Sequence, residues 1–277
     1  MTTPSYPIPV IEGSVNANGL DVWYVEVGEG IPLLLLHGGT VSNGPLWADH
    51  EWGWGAYLGA FSPHFRVIAP DTRGHGRTRN PSGMQTYPTF AEDVIALTQA
   101  LQLEHPLICG FSDGGITASL VGILAPDLPR AIVNLAGYDL FSPDPQHPNR
   151  VLLREYLGGH PQATRADVAD TYDRRVREDP DSPMRKRRIA DFEPTQGVGY
   201  LKRYYESYFE MVTTPMVYTL ADFARIVAPT LILVGDCDEY CSVEEGVSAY
   251  RTLQQGEFGV IPGIKHAITP LVCALAL

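Results

Sequence analysis

Apolar residues occur along this chain in two patterns, and the patterns predict different elements. Short runs of apolar and β-branched residues predict strands, most of them buried on both faces of a sheet. These runs are 20–27, 32–36, 65–70, 106–111, 131–135, 229–235 and 257–261. Capping-box patterns predict helices that begin near Thr89 and Ser242. Strands that alternate with helices indicate right-handed crossovers and a mostly parallel α/β sheet.

The alternation stops after residue 137. Residues 138–220 contain no convincing strand pattern, but Tyr200, Tyr204 and Tyr208 recur four residues apart, as on one face of a helix. The strand pattern returns at residue 229. We therefore predict an α/β core formed by residues 1–137 and 221–277, with residues 138–220 inserted as a helical cap. A chain of 277 residues can hold one large domain with such an insertion.

The stretch 110–114 (Gly-Phe-Ser-Asp-Gly) joins an apolar run to a helical pattern and matches the nucleophile elbow G-x-S-x-G. A strand that turns sharply into a helix brings backbones so close that a Cβ at Gly110 or Gly114 would clash. Such a turn places the Ser112 hydroxyl at the carboxyl edge of the sheet. It also aims the backbone amide of Asp113 at an oxyanion that forms there.

A serine hydroxyl is a poor nucleophile at neutral pH unless a base lies within hydrogen-bonding reach. Histidine titrates near that pH, and a buried carboxylate can fix its tautomer. His266 follows the last predicted strand, while Asp236 and Asp238 both follow the strand before it. The carboxyl ends of parallel strands share one edge, so we expect these side chains to lie near Ser112.

With these residues, the chain resembles the α/β-hydrolase superfamily over essentially its whole length. The matching segments occur in the family's order and are 37–39 (HGG), 73–76 (RGHG), the elbow, 235–238 (GDCD) and 263–266 (GIKH). The resemblance implies an eight-stranded, mostly parallel sheet flanked by helices, with a triad of Ser112, Asp238 and His266. It also implies an oxyanion hole formed by the backbone amides of Gly39 and Asp113.

Three further residues have alternative interpretations. Asp139 follows the strand after the elbow, which is the position of the catalytic acid in some relatives. His37 resembles a structural residue that supports the oxyanion loop, and His75 is expected to pack within its turn.

Aromatic residues suggest the character of the substrate. Trp47, Trp52 and Trp54 follow the oxyanion segment, and the tyrosine stripe includes Tyr204 and Tyr208. Most of these rings should pack the cap against the core, but some are expected to line a pocket between the two. Such a pocket favours a hydrophobic acyl group.

Charge and composition exclude several classes of function. The net charge of −12 argues against nucleic acid or an anionic membrane as a partner. The basic run 185–188 is predicted to lie on a solvated helix face. No leader pattern and no apolar run of about 18 residues is present, so we expect a cytoplasmic protein without a membrane span. The four scattered cysteines predict neither a disulfide framework nor a metal site.

The sequence therefore predicts a cofactor-free serine hydrolase of a hydrophobic ester or lactone, either a monomer or a homodimer. Cleavage of a carbon–carbon bond beside a ketone, or perhydrolysis, would use the same triad. A binding protein or cyclase on this scaffold is the non-hydrolytic alternative, because a fold does not fix a function.

Overall fold

A computed structural model describes residues 5–276; residues 1–4 and 277, at the two ends of the predicted core, lie outside the described residues. Within the described range, eight strands form one sheet. They are β1 (Ile11–Ala17), β2 (Leu20–Val27), β3 (Pro32–Leu36), β4 (Arg66–Pro70), β5 (Leu107–Phe111), β6 (Ala131–Leu135), β7 (Thr230–Gly235) and β8 (Gly256–Ile261).

The order of the strands is β1-β2-β4-β3-β5-β6-β7-β8. β1 pairs antiparallel with β2, and β2 pairs antiparallel with β4, whereas all the other neighbours are parallel. The central strands are apolar throughout because both of their faces are covered; Leu34 and Leu35, for example, are fully buried. The predicted eight-stranded, mostly parallel sheet is confirmed.

Helices cover both faces of the sheet. They are α1 (Leu58–Phe61), α2 (Tyr87–Ala100), α3 (Asp113–Leu124), α4 (Pro148–Gly158), α5 (Arg165–Glu178), α6 (Pro183–Gln196), α7 (Tyr200–Thr213), α8 (Val243–Thr252) and α9 (Pro270–Ala276). Apolar side chains of α2 and α3 belong to one core cluster, and those of α1 and α9 belong to a second cluster. The sheet therefore separates two hydrophobic cores.

The structure corrects one of the two predicted helix starts. α2 begins at Tyr87, because the hydroxyl of Thr86 accepts a hydrogen bond from the backbone N–H of Thr89. Pro88 fits this first turn since it has no N–H group that would need a partner there. α8 does begin after Ser242, whose hydroxyl accepts a hydrogen bond from the amide of Glu245.

Four helices, α4 to α7, lie between β6 and β7 and are called the inserted helices below. No strand interrupts residues 138–220. On α7, the tyrosines at positions 200, 204 and 208 all lie on the buried face, as the fourfold spacing predicts. The boundaries of the cap at 138 and 220 stay a prediction.

The close approach of β5 and α3 gives a test of the fold. A Cβ at Gly110 would lie 2.0 Å from the backbone oxygen of Gly114, and neither backbone can move away without displacing a core element. We expect Gly110→Ala to lower the free energy of unfolding by about 3 kcal/mol or more, or to abolish soluble expression. Urea denaturation measures this change.

Gly59→Ala is the matched control. A Cβ at Gly59 in α1 would meet only Ile8, at 3.6 Å, which is an ordinary contact. Its stability should stay within about 1 kcal/mol of the unmodified protein, since alanine is the better helix former. Equal stability of the two variants would contradict the argument.

Candidate active site

Ser112 occupies the sharp turn between β5 and α3. Its backbone has a φ of 55° and a ψ of −119°, a left-handed conformation that is unusual for a residue with a side chain. The backbone packs closely against β3 after this turn, because a Cβ at Gly114 would lie only 2.2 Å from the backbone oxygen of Leu36. The amide of Ser112 donates to the backbone oxygen of Leu135 at 2.8 Å. The serine is therefore held rigidly at the carboxyl edge of the sheet.

His266 and Asp238 form a hydrogen-bonded pair beyond the ends of β8 and β7. Nδ1 of His266 lies 2.8 Å from Oδ2 of Asp238, and the side chain of Asp238 is 1% exposed. The other oxygen, Oδ1, accepts from the amides of Tyr240 and Cys241 at 2.9 Å each. These bonds fix the carboxylate and place the imidazole proton on Nδ1, which leaves Nε2 as the free ring nitrogen.

Ser112 and His266 line the same cavity. The imidazole packs between two rings, with centroid distances of 4.8 Å to Phe111 and 4.9 Å to Tyr240. Among the described residues, His266 and Ser112 are not yet hydrogen bonded, and such bonds commonly tighten only when substrate is present. The arrangement brings a hydroxyl, an imidazole and a carboxylate to one edge of the sheet.

The two alternative carboxylates have other partners. Asp236 is exposed, and its Oδ1 accepts from the amide of Gly263 at 2.6 Å. Asp139 is buried beside the cavity, where it accepts from the Cys241 thiol and from the Asn149 amide. Burial raises the pKa of the Asp139 carboxyl. Of the three aspartates, the one that binds the histidine is Asp238.

The loop that follows β3 lies directly against the elbow. A Cβ at Gly38 would lie 3.2 Å from the Cβ of Ser112, and a Cβ at Gly39 would lie 2.5 Å from Oδ2 of Asp113. No described residue accepts a hydrogen bond from the backbone amide of Gly39 or Asp113. A side chain at position 39 would also collide with the hydroxyl of Tyr208, which lies 2.3 Å from the added Cβ, so glycine fits here without displacing either side chain.

His37 fixes the direction of this loop. Its Nδ1 donates to the backbone oxygen of Gly38 at 2.7 Å, and its Nε2 accepts from the amide of Thr72 at 3.0 Å. Burial lowers the pKa of His37 to about 4, so the ring is neutral near pH 7 and can accept at Nε2. His37 has the supporting role that the resemblance implies.

The carboxyl of Asp113 is a feature that the sequence interpretation missed, because only the amide of this residue was considered. Tyr87 donates its hydroxyl proton to Oδ1 at 2.8 Å, while Oδ2 is buried beside the hydroxyl of Tyr208 without a hydrogen bond of normal geometry. Burial raises the pKa of Asp113 to about 6. The acidic residue directly after the serine in the elbow motif was the available signal.

The expected aromatic residues divide into two groups. Trp52 and Tyr208 line the cavity. The structure does not bring Trp47, Trp54 or Tyr204 to it, because each of these rings is buried elsewhere and bonded through its polar atom. Trp47 donates to Asp191 at 2.8 Å, Trp54 donates to the backbone oxygen of Leu36 at 2.9 Å, and Tyr204 bonds to residues 40 and 75.

The basic run 185–188 was expected on a solvated face, and this is wrong for its last residue. Lys186 is exposed, and Arg185 and Arg187 are partly exposed, but Arg188 is only 5% exposed and reaches the cavity. Four consecutive helical residues cover every side of a helix, so one of them must face inward.

The cavity above Ser112 has a volume of about 410 Å³. The apolar side chains that line it include Phe111, Ile116, Leu140, Leu153 and Ile264. Charged residues line it as well: Glu51, Asp113, Asp139, Arg188, Glu239 and Lys265. Within residues 5–276, no cluster of three His, Cys, Asp or Glu side chains could hold a metal ion, and all four cysteines are free. None of the helices in this range is long and apolar enough to cross a bilayer.

Comparison with known proteins places this geometry in context. Residues 33–269 match the model of the alpha/beta hydrolase family. A putative non-heme chloroperoxidase of Synechocystis is 24% identical, over 94% of this chain and 93% of the relative. The 2-hydroxy-6-oxo-6-(2'-aminophenyl)hexa-2,4-dienoic acid hydrolase of Metapseudomonas resinovorans is 32% identical, over 44% of this chain and 41% of that protein. The structure of Est816, described as an N-acyl homoserine lactone degrading enzyme, aligns with a TM-score of 0.65 at 20% identity, over 95% and 96% of the two chains.

The buried carboxyl of Asp113 predicts a pH-dependent gain in stability for Asp113→Asn. Because burial raises the pKa to about 6, the folded protein holds this proton more tightly than the unfolded chain does. The free energy of unfolding therefore falls as the pH rises from about 4, the ordinary pKa of an aspartate, to about 6, its pKa in the folded protein. Relative to the unmodified protein, the variant should gain on the order of 1 kcal/mol between about pH 5 and about pH 7.5.

Urea denaturation of both proteins at the two pH values measures the difference, in which titrating groups remote from Asp113 cancel. An advantage of the variant that stays constant across this range, or that shrinks as the pH rises, would contradict the assignment.

Proposed function

Because this chain belongs to the α/β-hydrolase family, we propose that it is a serine hydrolase that cleaves a carboxylic ester or lactone of a hydrophobic small molecule. The observation that carries the proposal is the 2.8 Å contact between His266 and Asp238 beside a cavity that Ser112 also lines. The proposed mechanism proceeds through an acyl-enzyme.

In the first half-reaction, the oxygen of Ser112 attacks the carbonyl carbon, and Nε2 of His266 takes the hydroxyl proton. The imidazolium that forms is stabilised by Asp238. The carbonyl oxygen becomes an oxyanion and accepts hydrogen bonds from the two free backbone amides, at positions 39 and 113. When the tetrahedral intermediate collapses, His266 returns the proton to the leaving alkoxide.

In the second half-reaction, water replaces the alcohol. His266 takes a proton from the water, the hydroxide attacks the acyl carbon, and the serine leaves with the proton. The products are a carboxylic acid and an alcohol, or a hydroxy acid if the substrate is a lactone. This sequence of steps needs no group beyond the side chains and the two amides.

The form of the cavity supports a hydrophobic substrate. Its volume of about 410 Å³ lies in the range of small-molecule sites, and apolar side chains from the core and from the inserted helices line it. The inserted helices supply Leu153 and Tyr156 of α4 and Tyr208 of α7 to this cavity. We therefore propose that these helices serve as a cap that closes over the acyl group.

Two other reactions remain as alternatives: cleavage of a carbon–carbon bond beside a ketone, and perhydrolysis. The relatives named as a dienoic acid hydrolase and as a non-heme chloroperoxidase show that similar chains carry names other than esterase or lactonase. Both reactions would use the same serine. Dehalogenation and epoxide opening on this fold use a carboxylate at the elbow, so Ser112 argues against them.

A fluorophosphonate probe tests whether the serine is activated. We expect the probe to label the unmodified protein at Ser112, and Ser112→Ala to remain unlabelled, because only a hydroxyl with a nearby base attacks phosphorus readily. Intact-protein mass spectrometry detects the adduct. A protein that binds hydrophobic esters but is never labelled would support the non-hydrolytic binding protein instead.

The choice of acid is tested by two matched substitutions. Asp238→Asn should lower kcat for aryl ester hydrolysis by about 10⁴-fold, because the imidazole loses its fixed tautomer. Asp236→Asn, two residues away, should change kcat by less than about tenfold. The proposal fails if Asp139→Asn shows the large loss and Asp238→Asn does not.

A panel of aryl esters, lactones and β-diketones then identifies the bond that is cleaved.

A further inference from the structure

Thr40, the residue after Gly39, is held in a strained conformation. Its φ is 63°, a left-handed value that is rare for a β-branched residue. Such a conformation persists only where the surrounding structure determines it. The bonds that hold Thr40 therefore decide the path of the loop 37–40.

All three polar groups of Thr40 are bound by the inserted helices. Its backbone N–H donates to the hydroxyl of Tyr204, on α7, at 2.9 Å. On α6, Arg188 donates from Nε to the Thr40 backbone oxygen at 3.0 Å and from Nη2 to Oγ1 at 2.8 Å. The guanidinium thus donates to both oxygens of one residue, a bidentate contact that a lysine could not reproduce.

The bond from Tyr204 has a defined direction. Since this hydroxyl accepts from Thr40, its own proton goes to Nε2 of His75, at 2.9 Å. The other ring nitrogen of His75 donates to the backbone oxygen of Arg73 at 3.1 Å. Burial lowers the pKa of His75, so the ring is neutral and can accept. The anchor at Thr40 is consequently continuous with the core of the sheet domain.

Arg188 has no carboxylate within ion-pairing distance in the described part of the chain. Apart from its bonds to Thr40, it donates from Nη1 to the hydroxyl of Tyr205 at 2.8 Å. Burial of a cation without a neutralising carboxylate costs folding free energy, so other contacts must offset that cost. In place of an ion pair, this side chain has the hydrogen bonds to Thr40 and Tyr205 and a contact with the face of the Trp52 ring, whose centroid lies 5.9 Å from Cζ.

We propose that Arg188 is a positioning residue that sets the geometry of the oxyanion loop through Thr40. This inference rests on the proposed function, because it assumes that the amide of Gly39 receives an oxyanion. The consequence is that α6 and α7 control the rate of the chemical step as well as access to the cavity. Arg188 acts through Thr40 and does not need to touch the reacting atoms.

The first test is the pair Arg188→Ala and Arg188→Lys. Both should lower kcat for an aryl ester by roughly 10- to 100-fold, because removal of an oxyanion donor costs about 10²- to 10³-fold and a displaced donor costs less. KM should change by less than about threefold, since the loss falls on the transition state. Added guanidinium should restore part of the kcat of Arg188→Ala. Lys186→Ala is the exposed control on the same helix, and its kcat should match the unmodified protein with or without guanidinium.

The second test avoids the arginine, in case its removal prevents folding. Thr40→Ser keeps the hydroxyl that accepts from Arg188, whereas Thr40→Val keeps the branched shape and loses the acceptor. We expect Thr40→Ser to retain most of the kcat and Thr40→Val to lose it, with parallel losses in the rate of fluorophosphonate labelling. The phosphonyl oxygen of that probe occupies the same oxyanion position.

The outcomes separate the two proposals. If the unmodified protein is labelled and active but the arginine and valine variants keep its kcat, the positioning role is overturned and the hydrolase assignment stands. A rise in KM with kcat unchanged would also overturn it, because Arg188 would then bind substrate directly. A protein that is neither labelled nor active would overturn both proposals.

Discussion

The close contact of three backbones at the end of β5 is the constraint on which the site depends. Gly110 and Gly114 meet each other, and Gly114 also meets the backbone oxygen of Leu36. No side chain fits at these contacts, so only glycine at both positions permits the sharp turn in which Ser112 has a positive φ. Because Leu36 is paired with Gly110, the residues that follow β3 and β5 leave the sheet side by side. The elbow and the loop 37–40 are therefore neighbours as a consequence of strand register.

The order of the strands assembles the remaining groups. β7 and β8 are adjacent and parallel, with Gly235 paired to Ile261, so the segments that follow them emerge together. Asp238 and His266, which are 28 residues apart in sequence, meet in this way. Parallel strands all present their carboxyl ends at one edge, which is why this edge collects the polar side chains. The sheet brings together chemistry that no local segment contains.

Around this edge, burial determines what the polar groups can do. His37 and His75 are deeply buried and have lowered pKa values, so they serve as neutral, oriented hydrogen-bond partners. Arg188 is charged, and its N–H groups donate to one backbone oxygen and two hydroxyls. His37 and Arg188 bond directly to residues of the loop 37–40, and His75 reaches the loop through the hydroxyl of Tyr204. A loop held by so many directed bonds has little freedom to reorganise, which is the property that stabilisation of an oxyanion requires.

The sequence by itself determined most of the strands, the elbow and the residue types that follow each strand. Periodicity and turn chemistry are local properties, so the strands and the motif around Ser112 could be recognised without coordinates. The residues alone left three aspartates open as partners of His266, and the resemblance to a family favoured Asp238. The tertiary structure pairs His266 with Asp238. The tertiary structure also turned Arg188 inward and placed Trp52, rather than Trp47, at the cavity. These outcomes depend on the rotation of helices and on distances between remote segments, which neither periodicity nor composition encodes.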